Sequence, residues 1–161
     1  VIYYNRNYRL SMRRNNEEKD VLRRLRSYLM RCNDLAHEVF APDDEEIKGI
    51  STNKVDLDSA FVEMMLNISP LLNNEKVTVR DLSAKSCIDI NAFYSLVNVN
   101  VYKNPRMLAR AMRLEYARKM LKETDFTIDE IAEECSFSTP SYFISCFYQR
   151  YHITPKDYRD W

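Results

Sequence analysis

The sequence predicts an all-α fold in which two small helical units are joined by a long helix and preceded by a heptad-patterned helix. Three observations support this fold class. The 161 residues include a single glycine, Gly49, and five prolines, whereas sheets and tight hairpins usually need more turn glycines. Apolar residues recur at helical spacing through much of the chain. A capped helix pattern also occurs twice, at an offset of 49 residues.

Residues 1–16 form a basic arm in which aromatic side chains give way to arginines. Nine Lys/Arg and five Asp/Glu give residues 1–40 a net charge of +4. Aromatic residues followed by arginines are typical of the cytoplasmic side of a membrane helix. The arm therefore indicates, as one of two alternatives, a membrane anchor upstream of Val1; this chain is expected to be cytoplasmic. The start of an ordinary amphipathic helix is the alternative.

Residues 17–40 carry an amphipathic helix pattern. Its apolar positions follow one another at intervals of 3, 4, 3, 4 and 3: Leu22, Leu25, Leu29, Cys32, Ala36 and Val39. This is the a/d stripe of nearly three heptads, which is short for a free coiled coil. The stripe either forms a homodimer or packs on its own module, and the sequence favours neither alternative.

Residues 41–57 are predicted to be an acidic linker. They contain Pro42, the run Asp43-Asp44-Glu45-Glu46 and Gly49, and are too polar to bury. The remaining module, residues 58–161, opens with a predicted helix from Asp58 to Leu72. Its apolar face is formed by Phe61, Met64, Met65, Ile68 and Leu72.

The repeat begins with two capped helices. Thr78-Val79-Arg80-Asp81 aligns with Thr127-Ile128-Asp129-Glu130, and both have the Ser/Thr-x-x-Asp/Glu pattern of a capping box. The alignment continues without a gap through Cys87 over Ser136 and Phe93-Tyr94 over Tyr142-Phe143. A short capped helix, a short turn and a second helix anchored by aromatics make a helix-turn-helix.

A single helix is predicted between the two motifs, from Pro105 to Lys122. Proline suits a first helical turn, and Leu108, Met112, Ala117 and Leu121 follow at helical spacing. At 1.5 Å per residue this helix is about 27 Å long. Two recognition helices reading one face of B-DNA must lie about 34 Å apart unless the DNA bends. The helix would therefore set their separation within one monomer.

Residues 131–143 and 146–159 resemble the second-motif signature of the AraC/XylS family of transcription regulators. The closing stretch Tyr151-His152-Ile153-Thr154-Pro155-Lys156-Asp157-Tyr158-Arg159 is its most specific part. The resemblance covers about two thirds of the chain, from Asp58 to Trp161. It implies an all-α module of seven helices that activates or represses transcription, with double-stranded DNA and RNA polymerase as partners.

The resemblance also implies which residues contact DNA. In the first motif they fall on Asn91, Tyr94 and Ser95. In the second they fall on Thr139, Ser141 and Ser145, with Gln149 and Arg150 near the backbone. The basic residues Arg106, Arg110, Arg113 and Lys156 are further candidates for phosphate contacts.

The first motif departs from the family pattern. Its predicted recognition helix, Ile90 to Val101, contains no Lys or Arg, and phosphate contacts supply most non-specific affinity. The turn glycine of the family is replaced by Cys87 in one motif and Ser136 in the other. These departures predict weak DNA binding per monomer. They also leave open a degenerate module that acts in protein–protein interaction or signalling with little or no DNA binding.

Enzymatic chemistry is not indicated. The chain lacks a glycine-rich phosphate loop and a nucleophile elbow, and it has only two histidines. Its four cysteines lack zinc spacing and read as small buried hydrophobes, so neither a metal nor another cofactor is expected. A regulator needs an input domain, and none is recognisable in these residues, which predicts a larger parent protein.

Overall fold

The computed structural model describes residues 2–35, 38–42, 57–101 and 103–161, with side chains described from Ser11 onward. These residues are all-α, and no strand occurs in them apart from an isolated bridge between Phe40 and Phe137. The helices, numbered here in chain order, are α1 (Ile2–Asp34), α2 (Ser59–Leu72), α3 (Val79–Lys85), α4 (Ile90–Asn100), α5 (Pro105–Glu123), α6 (Ile128–Glu134), α7 (Pro140–Tyr151) and α8 (Pro155–Asp160). The all-α prediction is confirmed, and α2–α8 are the seven helices implied for residues 58–161.

The described residues form two compact units. Unit 1 contains α1 as far as Asn33 together with Leu57–Pro105, and unit 2 contains the described part of 34–56 together with Arg106–Trp161. Each unit therefore holds one helix-turn-helix motif, α3–α4 in unit 1 and α6–α7 in unit 2. Most of the predicted acidic linker, residues 43–56, lies outside the described residues.

The core of unit 1 joins the heptad-patterned part of α1 to α2. Leu25 and Tyr28 of α1 are fully buried, and the Tyr28 ring lies 6.1 Å from the ring of Phe61. The whole predicted apolar face of α2 is buried as well. Arg26 of α1 donates from Nε to the Leu72 carbonyl at 2.9 Å, which satisfies an acceptor at the end of α2.

The heptad stripe is consequently occupied within the single chain. Leu22, Leu25, Leu29 and Cys32 are all buried in unit 1, as expected if the stripe packs on its own module. Val39 is exposed, and Ala36 lies outside the described residues. A dimer that used this stripe would first have to separate α1 from unit 1. Dimerisation itself stays a prediction.

The core of unit 2 is a row of aromatic side chains. The Phe143 ring lies 5.3 Å from Phe137 and 5.8 Å from Phe147, and Phe147 lies 4.6 Å from Tyr151. Phe143 and Phe147 are fully buried. These rings anchor α7 against α6 and α8, so the opposite face of α7 is left to solvent.

Helix α5 is continuous over 19 residues, as its spacing predicts. Its residues Leu108, Ala111, Leu114, Ala117 and Leu121 are buried. Within the described residues, no helix combines the length and the apolar character that crossing a bilayer requires.

Candidate nucleic-acid interface

Both helix-turn-helix motifs begin with a complete capping box. In the first, the backbone N–H of Thr78 donates to Asp81 Oδ2 at 2.9 Å, and the Asp81 N–H donates to Thr78 Oγ1 at 3.2 Å. In the second, the Thr127 N–H donates to Glu130 Oε2 at 2.7 Å, and the Glu130 N–H donates to Thr127 Oγ1 at 3.2 Å. The two boxes satisfy donors that a helix start leaves without partners.

The turns between the helices also repeat, down to individual hydrogen bonds. Cys87 and Ser136 are left-handed, with φ of 54° and 58°. Their N–H groups donate to Ala84 and Glu133 carbonyls at 3.1 Å and 2.8 Å. The following N–H groups donate back to the carbonyls of Ser83 and Ala132. The two motifs are thus the same structural unit, and Cys87 and Ser136 stand where glycine would be free of strain.

Helix α7 presents a polar face to solvent. Ser141, Ser145 and Gln149 are exposed and follow one another every fourth residue, so they lie on one side of the helix. Thr139 is the N-cap, and its Oγ1 accepts from the Tyr142 N–H at 3.1 Å. The predicted contact residues of the second motif, apart from Arg150, therefore meet on one surface opposite the aromatic core.

Helix α4 has an outward face of different character. Asn91, Ser95 and Asn98 are exposed on one side, while Tyr94 is half-buried. The N-cap is Asp89, whose carboxylate accepts from the Asn91 N–H at 2.8 Å. A carboxylate at the start of α4 would repel a phosphate placed there, whereas the neutral hydroxyl of Thr139 at the start of α7 would not.

The arginines of α5 make contacts within unit 2. Arg110 Nη1 donates to the Tyr142 hydroxyl at 3.1 Å, and Arg106 Nη1 pairs with Glu38 Oε2 at 3.2 Å. Arg113 donates to main-chain carbonyls, and burial lowers the pKa of its guanidinium. Phosphate contacts by these residues stay predictions, and each would compete with the contact described here.

Arg150 is the most deeply placed of the predicted contact residues. Its side chain is 5% exposed, and Nε lies 3.8 Å from Glu115 Oε1. Tyr151 donates its hydroxyl to the same carboxylate at 2.8 Å. Backbone contact by Arg150 would require its side chain to leave Glu115. Lys156, by contrast, is exposed near the start of α8.

The cysteines follow the expected pattern with one exception. Cys32, Cys135 and Cys146 are buried, and burial raises the pKa of the Cys135 thiol to about 11. Cys87 is exposed, contrary to the prediction of four buried hydrophobes. Cys87 lies in the left-handed turn between α3 and α4 and not on the buried face of a helix.

Sequence reasoning missed two sets of residues near the motifs. Arg24 of α1 donates to Asn98 on the outward face of α4, and Phe40 is paired with the turn of the second motif. Neither residue belongs to a local motif. Each lies more than 70 positions from its partner in the sequence, so no local pattern marks it.

Comparison with known proteins identifies the matched segment. Residues 82–160 match a family described as "Helix-turn-helix domain". The xylose operon regulatory protein of Escherichia coli strain K12 is 42% identical over 53 residues, which cover 33% of this chain and 14% of that protein. The transcriptional activator RhaS of Mannheimia succiniciproducens is 28% identical over 85 residues, which cover 53% of this chain and 32% of that protein.

Solved structures include the C-terminal domain of the two-component response regulator yesN from Fusobacterium nucleatum. It is 27% identical, with a TM-score of 0.37, covering 63% of this chain and 99% of that one. Because this TM-score is low, the family resemblance is drawn from the sequence matches and not from this structure. Residues 82–160 match a helix-turn-helix domain, and the resemblance of this segment to the AraC type is confirmed. The chain spans only 14% and 32% of the length of the two regulators described above.

Proposed function

We propose that this chain is the output part of a larger transcription regulator and that it binds specific sequences of duplex DNA. The exposed polar face of α7 carries the proposal, because it lies opposite a buried aromatic core in a motif of the family shown above. Hydroxyl and amide side chains on such a face can hydrogen-bond base edges in the major groove. The matched relatives are named as regulators of transcription.

The second motif should contribute most of the base contacts. Its helix begins at a neutral threonine and presents Ser141, Ser145 and Gln149, whereas α4 begins at the Asp89 carboxylate and contains no Lys or Arg. Few cationic side chains face the proposed DNA surface directly. Low affinity per monomer and a steep dependence on salt are therefore expected.

The test is selection of bound duplexes from a random DNA library, followed by fluorescence anisotropy at 50 mM salt and above. Ser141→Glu places a carboxylate on the α7 face and should abolish binding, whereas Asn91→Glu should cost less. Ser59→Glu is the matched control, because it makes the same change at the exposed start of α2. Absence of salt-dependent binding by the unaltered chain would favour the protein-interaction alternative instead.

The remaining parts of the proposal concern the parent protein. A regulator of this type would contact RNA polymerase and act in the compartment that contains the DNA. It would receive its signal from an input domain outside these residues. An upstream membrane helix is one source of that signal, consistent with the basic arm at residues 1–16. The gene sequence preceding Val1 tests it: about 20 consecutive apolar residues would support the anchor, and a polar stretch would contradict it.

A further inference from the structure

An arginine-lined cleft lies in unit 1 next to the end of α4. It is formed by Arg23, Arg24, Ser27 and Arg31 of α1 together with Val101, the C-cap of α4, and has a volume of about 330 Å³. The α1 residues are spaced so that they share one side of the helix. Asp20 pairs with both Arg23 and Arg24, so three guanidinium groups and one carboxylate leave the cleft cationic.

Arg24 connects this cleft to the outward face of α4. Its Nη1 donates to Asn98 Oδ1 at 3.0 Å. Asn98 is exposed and lies on the same side of α4 as Asn91 and Ser95. A duplex in contact with Asn98 would therefore bring its backbone close to the arginines of α1.

The chemistry of the cleft suits a phosphodiester. Guanidinium groups present donors in a planar fork that matches phosphate oxygens. The Arg23 side chain is 78% exposed, and Arg31 is exposed above the Tyr28 ring at 5.6 Å from its centroid. Both can turn toward an anion without disturbing the core.

We propose that this cleft binds a backbone phosphate of the duplex contacted by the first motif, so that α1 supplies the positive charge that α4 lacks. The proposal rests on the proposed function and assigns a phosphate site to a helix outside the matched residues 82–160. Because phosphate contacts carry no sequence information, loss of the α1 charges should weaken binding to every DNA sequence alike.

The test compares two double variants of the full chain with equal loss of charge. The first double variant, Arg23→Gln with Arg31→Gln, removes two cations from the cleft. The control, Arg13→Gln with Arg14→Gln, removes two exposed arginines of the same helix that do not line the cleft. Anisotropy over a range of salt concentrations should give the cleft variant a salt slope smaller by about 1 per lost contact. The control should keep the slope of the unaltered chain.

Each other outcome overturns the proposal in its own way. Equal losses in both variants would make the effect one of total charge, and unchanged binding by the cleft variant would remove the site. Vesicles containing phosphatidylserine form a second arm: loss of vesicle binding with DNA binding intact would assign the cleft to a lipid headgroup. No DNA binding by the unaltered chain would instead refute the proposed function.

A second and independent observation lies in unit 2, where residues 38–42 form a latch on the turn of the second motif. The Phe40 N–H donates to the Ser136 carbonyl at 2.8 Å, and the Ser138 N–H donates to the Phe40 carbonyl at 2.7 Å. The Phe40 ring is 4% exposed and lies 6.0 Å from the Phe137 ring. The turn is thus paired along both its main chain and its side chains.

Arg113 secures the latch from α5. Its guanidinium carbon lies 4.4 Å from the centre of the Phe40 ring, and its nitrogens donate to the carbonyls of Leu35 and Glu38 at 3.1 and 3.0 Å. It also reaches the Ser136 carbonyl at 3.4 Å. One side chain therefore holds both the latch and the turn to which the latch is bound.

We infer that the latch positions the recognition helix α7, with Phe40 as the positioning residue. The paired turn, 136–138, leads directly into Thr139, the N-cap of α7, so a shift of the turn would tilt the base-reading face. The latch follows α1 directly in the sequence and lies outside the matched domain. Through the covalent chain, a displacement of α1 would therefore reach this segment before it reached the second motif.

The test is Phe40→Ala, with Val39→Ala as a control because Val39 is 59% exposed. Amide hydrogen exchange at Ser138 should quicken in Phe40→Ala and stay slow in the control. DNA affinity should fall with an unchanged salt slope, since no phosphate contact is removed, and Phe40→Tyr should restore it. Phe40→Leu replaces Phe40→Ala if circular dichroism shows that the alanine variant is unfolded. Slow exchange at Ser138, or full affinity in a variant whose Ser138 exchange is fast, would overturn the inference.

Discussion

The left-handed turn residues allow a stability prediction worked from the backbone. Cys87 has φ of 54°, and a residue with a Cβ pays about 1–2 kcal/mol for this conformation. Replacing Cys87 by glycine removes that cost. Against this gain, glycine costs about 0.5–1 kcal/mol because its backbone loses more conformational freedom on folding than that of any other residue. Cys87 is exposed, so no packing is lost, and Cys87→Gly should raise the free energy of unfolding by about 0.5–1 kcal/mol.

Urea and thermal unfolding followed by circular dichroism measure this change. For a chain of this size, the midpoint temperature should rise by about 1–4 °C. Cys87→Ala is the matched control: it removes the thiol but keeps the Cβ, so its stability should stay within about 0.5 kcal/mol of the unaltered chain. Equal stability of the glycine and alanine variants would show that the turn is not strained, and the reasoning would fail.

Further predictions concern the second motif and use the same unfolding measurements. Thr127→Ala should cost about 1 kcal/mol, because it removes the N-cap acceptor, while Glu133→Ala on the exposed side of α6 should cost little. The hydrogen bonds from Thr127 lower the pKa of Glu130 below 4.5; the stability they confer is complete above pH 4.5 and is lost as the pH falls through that lower value. Glu130→Gln should therefore weaken the dependence of the free energy of unfolding on pH in the acidic range. An unchanged pH dependence would contradict this. Phe143→Ala should cost about 3–5 kcal/mol, since its ring is fully buried between two others.

The local parts of the fold were predictable from the sequence because their causes are local. A capping box needs a threonine and an acid three residues apart, and both boxes form where Thr78 and Thr127 predict them. The apolar spacing likewise predicts the buried face of α2. In α5 it predicts the burial of Leu108, Ala117 and Leu121, whereas Met112 is half-buried. The gap-free repeat predicted that Cys87 and Ser136 would occupy equivalent turn positions. The structure confirms the equivalence, because both residues have the same left-handed backbone conformation.

The surroundings of the arginines could not be predicted in this way. Arg113 has the same sequence signature as a solvent-facing cation on an amphipathic helix. Its actual partners are carbonyls of residues 35 and 38, more than 70 positions earlier. The heptad stripe of α1 was ambiguous for a similar reason: period alone does not say whether the covering surface comes from another chain or from α2 of the same chain.

The two motifs share one backbone conformation and differ in the charge at the start of their second helices. Asp89 caps α4 with a carboxylate, whereas Thr139 caps α7 with a hydroxyl. An anionic cap stabilises its own helix through the macrodipole but disfavours phosphate at the same place. In the proposed complex the anionic cap would stabilise α4 but lower the affinity of the first motif for DNA, so that this motif would depend on cations elsewhere in unit 1. In the second motif the neutral Thr139 would not repel a phosphate, and the exposed polar side chains of α7 would be available to bases. This difference in caps is a physical reason to propose that base contacts fall mainly on α7 and that the arginines of α1 supply phosphate contacts to the first motif.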